Sequence, residues 1–188
     1  MKPQERYASD TRTLLDLTAY ELRRLALPPS TPVAVHAPHP ELLEDLAARL
    51  EPDYPVVGGT AAGVAPVHVY LWSLEDGRPE LWPAPPHAQH VLVAFRNRLS
   101  HRSLLNPKFR GVWFPALERQ LRRGYRLRAS WGVLGPRRVG WLAASALARR
   151  ARRHALGYVW EDRALLAPTE RGPGRYVCPQ GLVVGSRL

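Results

Sequence analysis

The sequence predicts an α/β domain whose mostly parallel sheet ends in an antiparallel hairpin. Three observations predict it. Short runs of β-formers alternate with Leu-rich stretches at helical spacing. Two of the runs, Val67–Trp72 (VHVYLW) and Val91–Phe95 (VLVAF), are almost wholly apolar, as buried strands are. The tail beyond Leu165 carries a Gly-Pro-Gly turn at 172–174 before RYVCPQGLVVG, which reads as an edge or hairpin strand interrupted by Pro179.

Taken in order, residues 1–9 are polar and read as a frayed end. Asp10 caps a helix running to about Ala26, in which Leu14, Leu15, Leu17, Leu22 and Leu25 recur on one face. This N-terminal helical segment occupies 1–29, and Pro28, Pro29 and Pro32 close it with a stiff connection. Val33–Val35 is a short strand. His36-Ala37-Pro38-His39-Pro40 leads from it into a helix over 41–50, with Pro40 at its start and Glu41 and Glu44 complementing the dipole.

Tyr54–Val57 is the next strand, followed by the glycine-rich loop 58–63 and the strand VHVYLW. Four prolines between Arg78 and Gln89 exclude helix and central strand there. The strand from Val91 stops at Arg96-Asn97-Arg98, which faces a crevice or solvent at the place where an open sheet gathers ligand contacts. Phe114-Pro115 opens a helix that Gly124 ends. Tyr125–Leu134 alternates as a strand with Tyr125, Leu127, Ala129 and Trp131 on one face. A basic helix is expected over 139–157, apolar at first, then carrying Arg149, Arg150, Arg152 and Arg153, with Gly157 as its stop.

A chain of 188 residues, 45% hydrophobic, suits one domain over 1–188 with a sizeable core. No apolar stretch is long enough for a membrane helix, the N-terminus lacks a signal peptide's apolar core, and a cytoplasmic address is expected. Cys178, the only cysteine, excludes an internal disulfide and a cysteine-cluster metal site. The net charge of +11 comes from 27 basic against 16 acidic side chains and is almost all arginine. Either it serves an anionic partner or it reflects overall composition.

From Val67 to Val184 the chain resembles the carboxyl half of class I S-adenosylmethionine-dependent methyltransferases. The residues that carry the resemblance are VHVYLW, VLVAFRNRLSHRSLL, the aromatic and Leu-rich helix start FPALERQL, Arg123-Gly124-Tyr125-Arg126, and Trp131–Arg138. It implies a three-layer Rossmann-like domain. The amino half departs from the family's pattern. The first βα turn has no glycine and two prolines, the second strand ends without a ribose-binding carboxylate, and a third strand with its helix is missing. The resemblance therefore implies a shortened fold with a degenerate cofactor site, acting as a binding or partner subunit, a pseudoenzyme. Two alternatives stand beside it: an active methyltransferase with an atypical cofactor turn, and an arginine-rich nucleic-acid-binding module.

The candidate site residues follow from these readings. His36, His39 and Asn97 sit at strand ends where a cofactor, S-adenosylmethionine or none, would be contacted. His36 and His39, three apart, could bind a metal or act as acid and base, with His68 or Glu75 as a third group; proline-flanked loop histidines are more often solvent-facing, and no metal is expected. His87, His90 and His101 surround the central strand. Arg98, Arg102, Lys108 and Arg110 offer an anion site, and Arg149, Arg150, Arg152 and Arg153 a face for phosphates or an anionic membrane, against the plainer reading of solvated charge. Trp72, Trp131 and Trp141 read as core, while Trp82, Trp113 and Trp160 are freer to be exposed.

Overall fold

Six strands make the main sheet in the order β2-β1-β3-β4-β8-β5. They are β1 (Val33–His36), β2 (Val56–Val57), β3 (Val67–Leu71), β4 (His90–Arg96), β5 (Tyr125–Val133) and β8 (Gln180–Arg187). A computed structural model gives this arrangement; it describes residues 3–57, 63–71, 87–98, 111–133, 155–160, 163–168 and 180–188, with backbone alone at 3–13 and in 155–168. Strands β1 to β4 are mutually parallel, and β8 runs antiparallel to both β4 and β5. The strands β6 (Ala155–Trp160) and β7 (Arg163–Pro168) form a separate antiparallel hairpin.

Helices cover both faces, so the domain has three layers and is Rossmann-like. On one face α1 (Pro3–Arg24) and α2 (Pro40–Leu50) bury Leu14, Leu22, Leu46 and Leu50 against Val33, Val69, Leu92 and Val184. Arg49 of α2 bonds Asp16 of α1 at 2.6 Å, and Arg23 bonds Asp53 at 3.0 Å, which fixes how the two helices lie side by side. On the other face α3 (Phe114–Leu121) sets Phe114, Leu117 and Leu121 against Val91, Val93, Phe95 and Val183. β2 ends at Val57 and β3 begins at Val67. That gap is too short for a strand with a crossover helix, so the sheet is shortened where the sequence omits a third strand.

Several expectations are corrected. Helix α1 already includes Pro3, so Asp10 lies within it and is not its cap. Ala155–Trp160 is a strand, so the carboxyl end of the helix expected over 139–157 is extended and Gly157 lies inside β6. Gly-Tyr-Val-Trp has the β-branched and aromatic content of a strand, which wins over the arginine-rich prefix. The remainder of that helix, 139–154, lies outside the described residues. β8 is no edge strand: it sits between β4 and β5, and its residues Leu182, Val183 and Val184 are wholly buried. Pro179, expected to interrupt it, immediately precedes it in the sequence and lies outside the described residues.

The single-face reading of β5 also fails. Its pairing with β8 slips between Leu127 and Ala129, leaving Arg128 as an extra residue. One extra residue turns every later side chain to the opposite face. Tyr125 and Leu127 thus pack toward α3, whereas Ala129 and Trp131 join the α1 core.

Candidate functional site

The chain order around the sheet reverses at β1, which has β2 on one side and β3 on the other. In open α/β sheets the crevice at such a point, outside the carboxyl ends of the strands, is where ligands bind. Here it is a shallow cleft of about 400 Å³ lined by Val35, His36, Ala37, Pro38, His39, Pro40 and Leu43. Its walls follow from local sequence. The apolar run of β1 ends at His36, and Pro40 starts α2 with the φ a first turn needs. His39 occupies the N-cap with an extended backbone and makes no side-chain capping bond.

His36 does not stand in open solvent. Its Nε2 lies 3.0 Å from Nδ1 of His68, one strand away on β3, and its ring stacks on Tyr70 with centroids 4.4 Å apart. The other nitrogen of His68, Nε2, lies 3.0 Å from the carbonyl oxygen of Ala65. A carbonyl only accepts, so His68 Nε2 carries the hydrogen and its Nδ1 the lone pair. His36 Nε2–H must then donate to His68, which leaves the lone pair of a neutral His36 on Nδ1. His87 stands edge-on to His68 at 5.9 Å.

Burial lowers the pKa of both rings. For His68 the neighbouring His36 and His87 add to burial, and the Ala65 bond opposes them. Both imidazoles therefore stay neutral below the ordinary value of 6.5. His90, lowered by burial and then by Arg128, behaves alike. Unfolded imidazoles bind protons that these three refuse, so each contributes stability that is full above about pH 6.5 and is lost as the pH falls toward its folded value. Glu21, raised by burial against the opposing Arg24, acts in the other sense: its contribution is lost as the pH rises above the ordinary 4.5. With three histidines against one carboxyl, the melting temperature is expected to fall on going from about pH 7.5 to about pH 5.5. Circular dichroism melts across that range check it, and a flat or rising profile would contradict the buried neutral rings.

The other expected site residues are placed differently. Asn97 is wholly buried, not turned to solvent. It forms a bridge with Val112, and the flanking bonds Arg98 N–H to Val112 O and Val112 N–H to Arg96 O stitch the exit of β4 to the approach of α3. The cause is Gly111, whose lack of a side chain lets the two backbones touch. His90 sits at the amino end of β4, away from the crevice, and shares a 2.9 Å hydrogen bond with Ser186. Arg98 is exposed and Trp113 is half-exposed, while Trp131 is core. Arg102, Lys108, Arg110, Arg149, Arg150, Arg152, Arg153, Glu75, His101, Trp72, Trp82 and Trp141 lie outside the described residues, as does the side chain of Trp160.

The sequence reading missed Tyr70 and the buried Glu118 of α3. Glu118 accepts a hydrogen bond from Ser130 of β5. The alternation of His68 and Tyr70 in VHVYLW was the available signal, since it puts two polar-tipped rings on one face of a buried strand.

Among the described residues no helix is long and apolar enough to cross a membrane. No protein-family model matches the chain, and no curated protein matches it. Among solved structures it is similar to the methyltransferase domain of bacterial CtHen1-C, at a TM-score of 0.45 and 9% identity over 95% of this chain and 98% of the other. A second form of that domain, CtHen1-CN, gives 0.44 and 9% over 92% and 96%. A functionally unknown protein from Deinococcus radiodurans R1 gives 0.35 and 19% over 92% and 87%. Likenesses of this size bring no residue and no activity across to this chain.

Proposed function

We propose that this chain is a methyltransferase-like domain that does not hold S-adenosylmethionine at its first βα turn and serves as a binding or partner subunit. The observation that carries the reading is the composition of the cleft wall. Of residues 36–40, Pro38 and Pro40 have no N–H, and every one carries a Cβ that keeps a ligand off the backbone. The volume of about 400 Å³ is itself adequate for a small ligand. What disfavours a nucleoside is the lining: few backbone donors, no glycine, and no carboxylate for ribose hydroxyls where β2 ends at Val57. The residues present therefore do not fit the cofactor.

Isothermal titration of the full chain with S-adenosylmethionine and S-adenosylhomocysteine tests the reading. No binding in the micromolar range is expected from either. Micromolar affinity would overturn it in favour of an active enzyme with an atypical turn.

A further inference from the structure

Arginines gather at the end of the sheet opposite the cleft, where β4 begins. Tyr125 of β5 pairs with Arg187 of β8 and Arg126 with Ser186, while the Arg187 N–H bonds the Gln89 carbonyl at 2.7 Å and the Leu188 N–H bonds that of Gly124 at 3.4 Å. The turn after α3, the first residues of β5 and the last of β8 are thereby held together. Arg122 and Arg123 stand at the carboxyl end of α3, Arg126 and the bulged Arg128 on β5, and Arg187 on β8, and all five are exposed. Arg128 spends its Nε–H on Ser186 Oγ at 3.2 Å. Among the described residues none of the five has a carboxylate partner, whereas Arg23, Arg24 and Arg49 of α1 and α2 each have one. The cause lies in the sequence: over 87–98, 111–133 and 180–188 the one acidic side chain is Glu118, which is buried and bonded to Ser130. The helix dipole accounts for cations at 122 and 123 but not for those on the two strands. Like charges crowded without counter-charge repel, and an anion from outside relieves them.

We propose that this surface docks the phosphate backbone of a double-stranded nucleic acid without reading its sequence. Guanidinium stays charged throughout the physiological range and grips phosphate through two N–H groups at once. One phosphate occupies one or two arginines; five, spread over a helix end and two strands, suit a run of phosphates. An anionic membrane is the poorer match, because interfacial binding relies on apolar side chains sinking into the bilayer. Among the described residues the large exposed hydrophobics are Val64 before β3, Trp113 at the other end of α3, and Leu188, so only Leu188 lies beside these arginines. Single strands bind largely by stacking bases on aromatic rings. The ring within the patch, Tyr125, is half-buried and packs toward α3, with its hydroxyl bonded to the Ala88 carbonyl at 3.4 Å. A duplex presents its phosphates outward and asks for neither an apolar nor a stacking surface. The inference goes beyond the reading of the cofactor cleft and does not rest on it, and it uses none of the arginines at 149–153.

The test is fluorescence anisotropy of the untagged full chain with short labelled duplexes of DNA and of RNA, at stepped salt concentrations. Both should bind whatever their sequence, with affinity falling by about 10²–10³-fold between about 50 and 200 mM salt, as five phosphate contacts require. Arg122→Gln, Arg123→Gln and Arg126→Gln combined in one chain should weaken binding at least about tenfold and flatten the salt slope by about 3. A chain carrying Arg149→Gln, Arg150→Gln, Arg152→Gln and Arg153→Gln should bind as the unaltered one does. Should the triple variant fail to fold, Arg126→Glu and Arg187→Glu, made singly, still decide, and each should weaken binding. Absence of duplex binding, indifference to salt, or affinity unchanged in the patch variants would overturn the proposal. So would tighter binding to a single strand of the same length, or to phosphatidylserine vesicles, than to the duplex. Because no S-adenosylmethionine is present, this result is independent of the cofactor titration.

Discussion

Replacing Phe95 by alanine is expected to lower the stability of the domain by about 3–5 kcal/mol, the usual cost of emptying a fully buried aromatic site. Phe95 is fully buried on β4, near the middle of the sheet. Its ring meets Phe114 of α3 edge-on at 4.7 Å, a geometry that adds to simple burial. Across the strands it pairs with Gly181, whose missing side chain is the floor on which the ring lies; a Cβ at Gly181 would come within 2.5 Å of Phe95 Cζ. The cavity left by Phe95→Ala would thus be bounded by backbone and by α3, neither of which collapses easily. A loss of that size is a large share of the roughly 5–15 kcal/mol that holds a typical domain together. Urea unfolding would read it as a lower midpoint with an unchanged slope. A loss below about 1 kcal/mol would mean that Phe95 is not central to the packing.

The second large effect is expected at Gly111. An alanine there would put its Cβ 2.7 Å from the backbone N of Arg98 and 2.9 Å from Arg98 Cα and Asn97 C. Main-chain atoms cannot rotate away as side chains do, so the bridge between Asn97 and Val112 must open. Overpacking of this kind costs about 1–3 kcal/mol, and the two flanking backbone bonds would be lost with it at about 1 kcal/mol each. Faster hydrogen exchange at the Arg98 and Val112 amides, together with a lower urea midpoint, is the expected signature. Unchanged exchange at both amides would show that the two backbones have room for a side chain between them.

What the sequence disclosed and what it hid have physical explanations. The apolar runs of β3 and β4 are legible because strands buried on both faces need nearly continuous hydrophobicity. The opening of α2 by Pro40 and of α3 by Pro115 is legible because proline suits a helix start and little else in such a context. The bulge at Arg128 is not, since a single unpaired residue leaves no mark on an alternating pattern that continues beyond it. The strand nature of 155–157 was hidden by the neighbouring arginines, which read as the end of a helix. Long-range pairing was hidden as well. His36 and His68 are 32 residues apart, and only the register of β1 on β3 brings them into hydrogen-bond contact. Likewise Asn97 reads as a polar strand exit until Gly111 is seen to fold the chain back over it.

The proline-stiffened turn of the first βα unit carries the functional reading, and a crystal of the full chain soaked in S-adenosylhomocysteine tests it most directly. The expected result is a cleft over Ala37 and Pro38 without density for an adenosine moiety. A nucleoside lying across those two residues, within contact of the His36 ring, would contradict it.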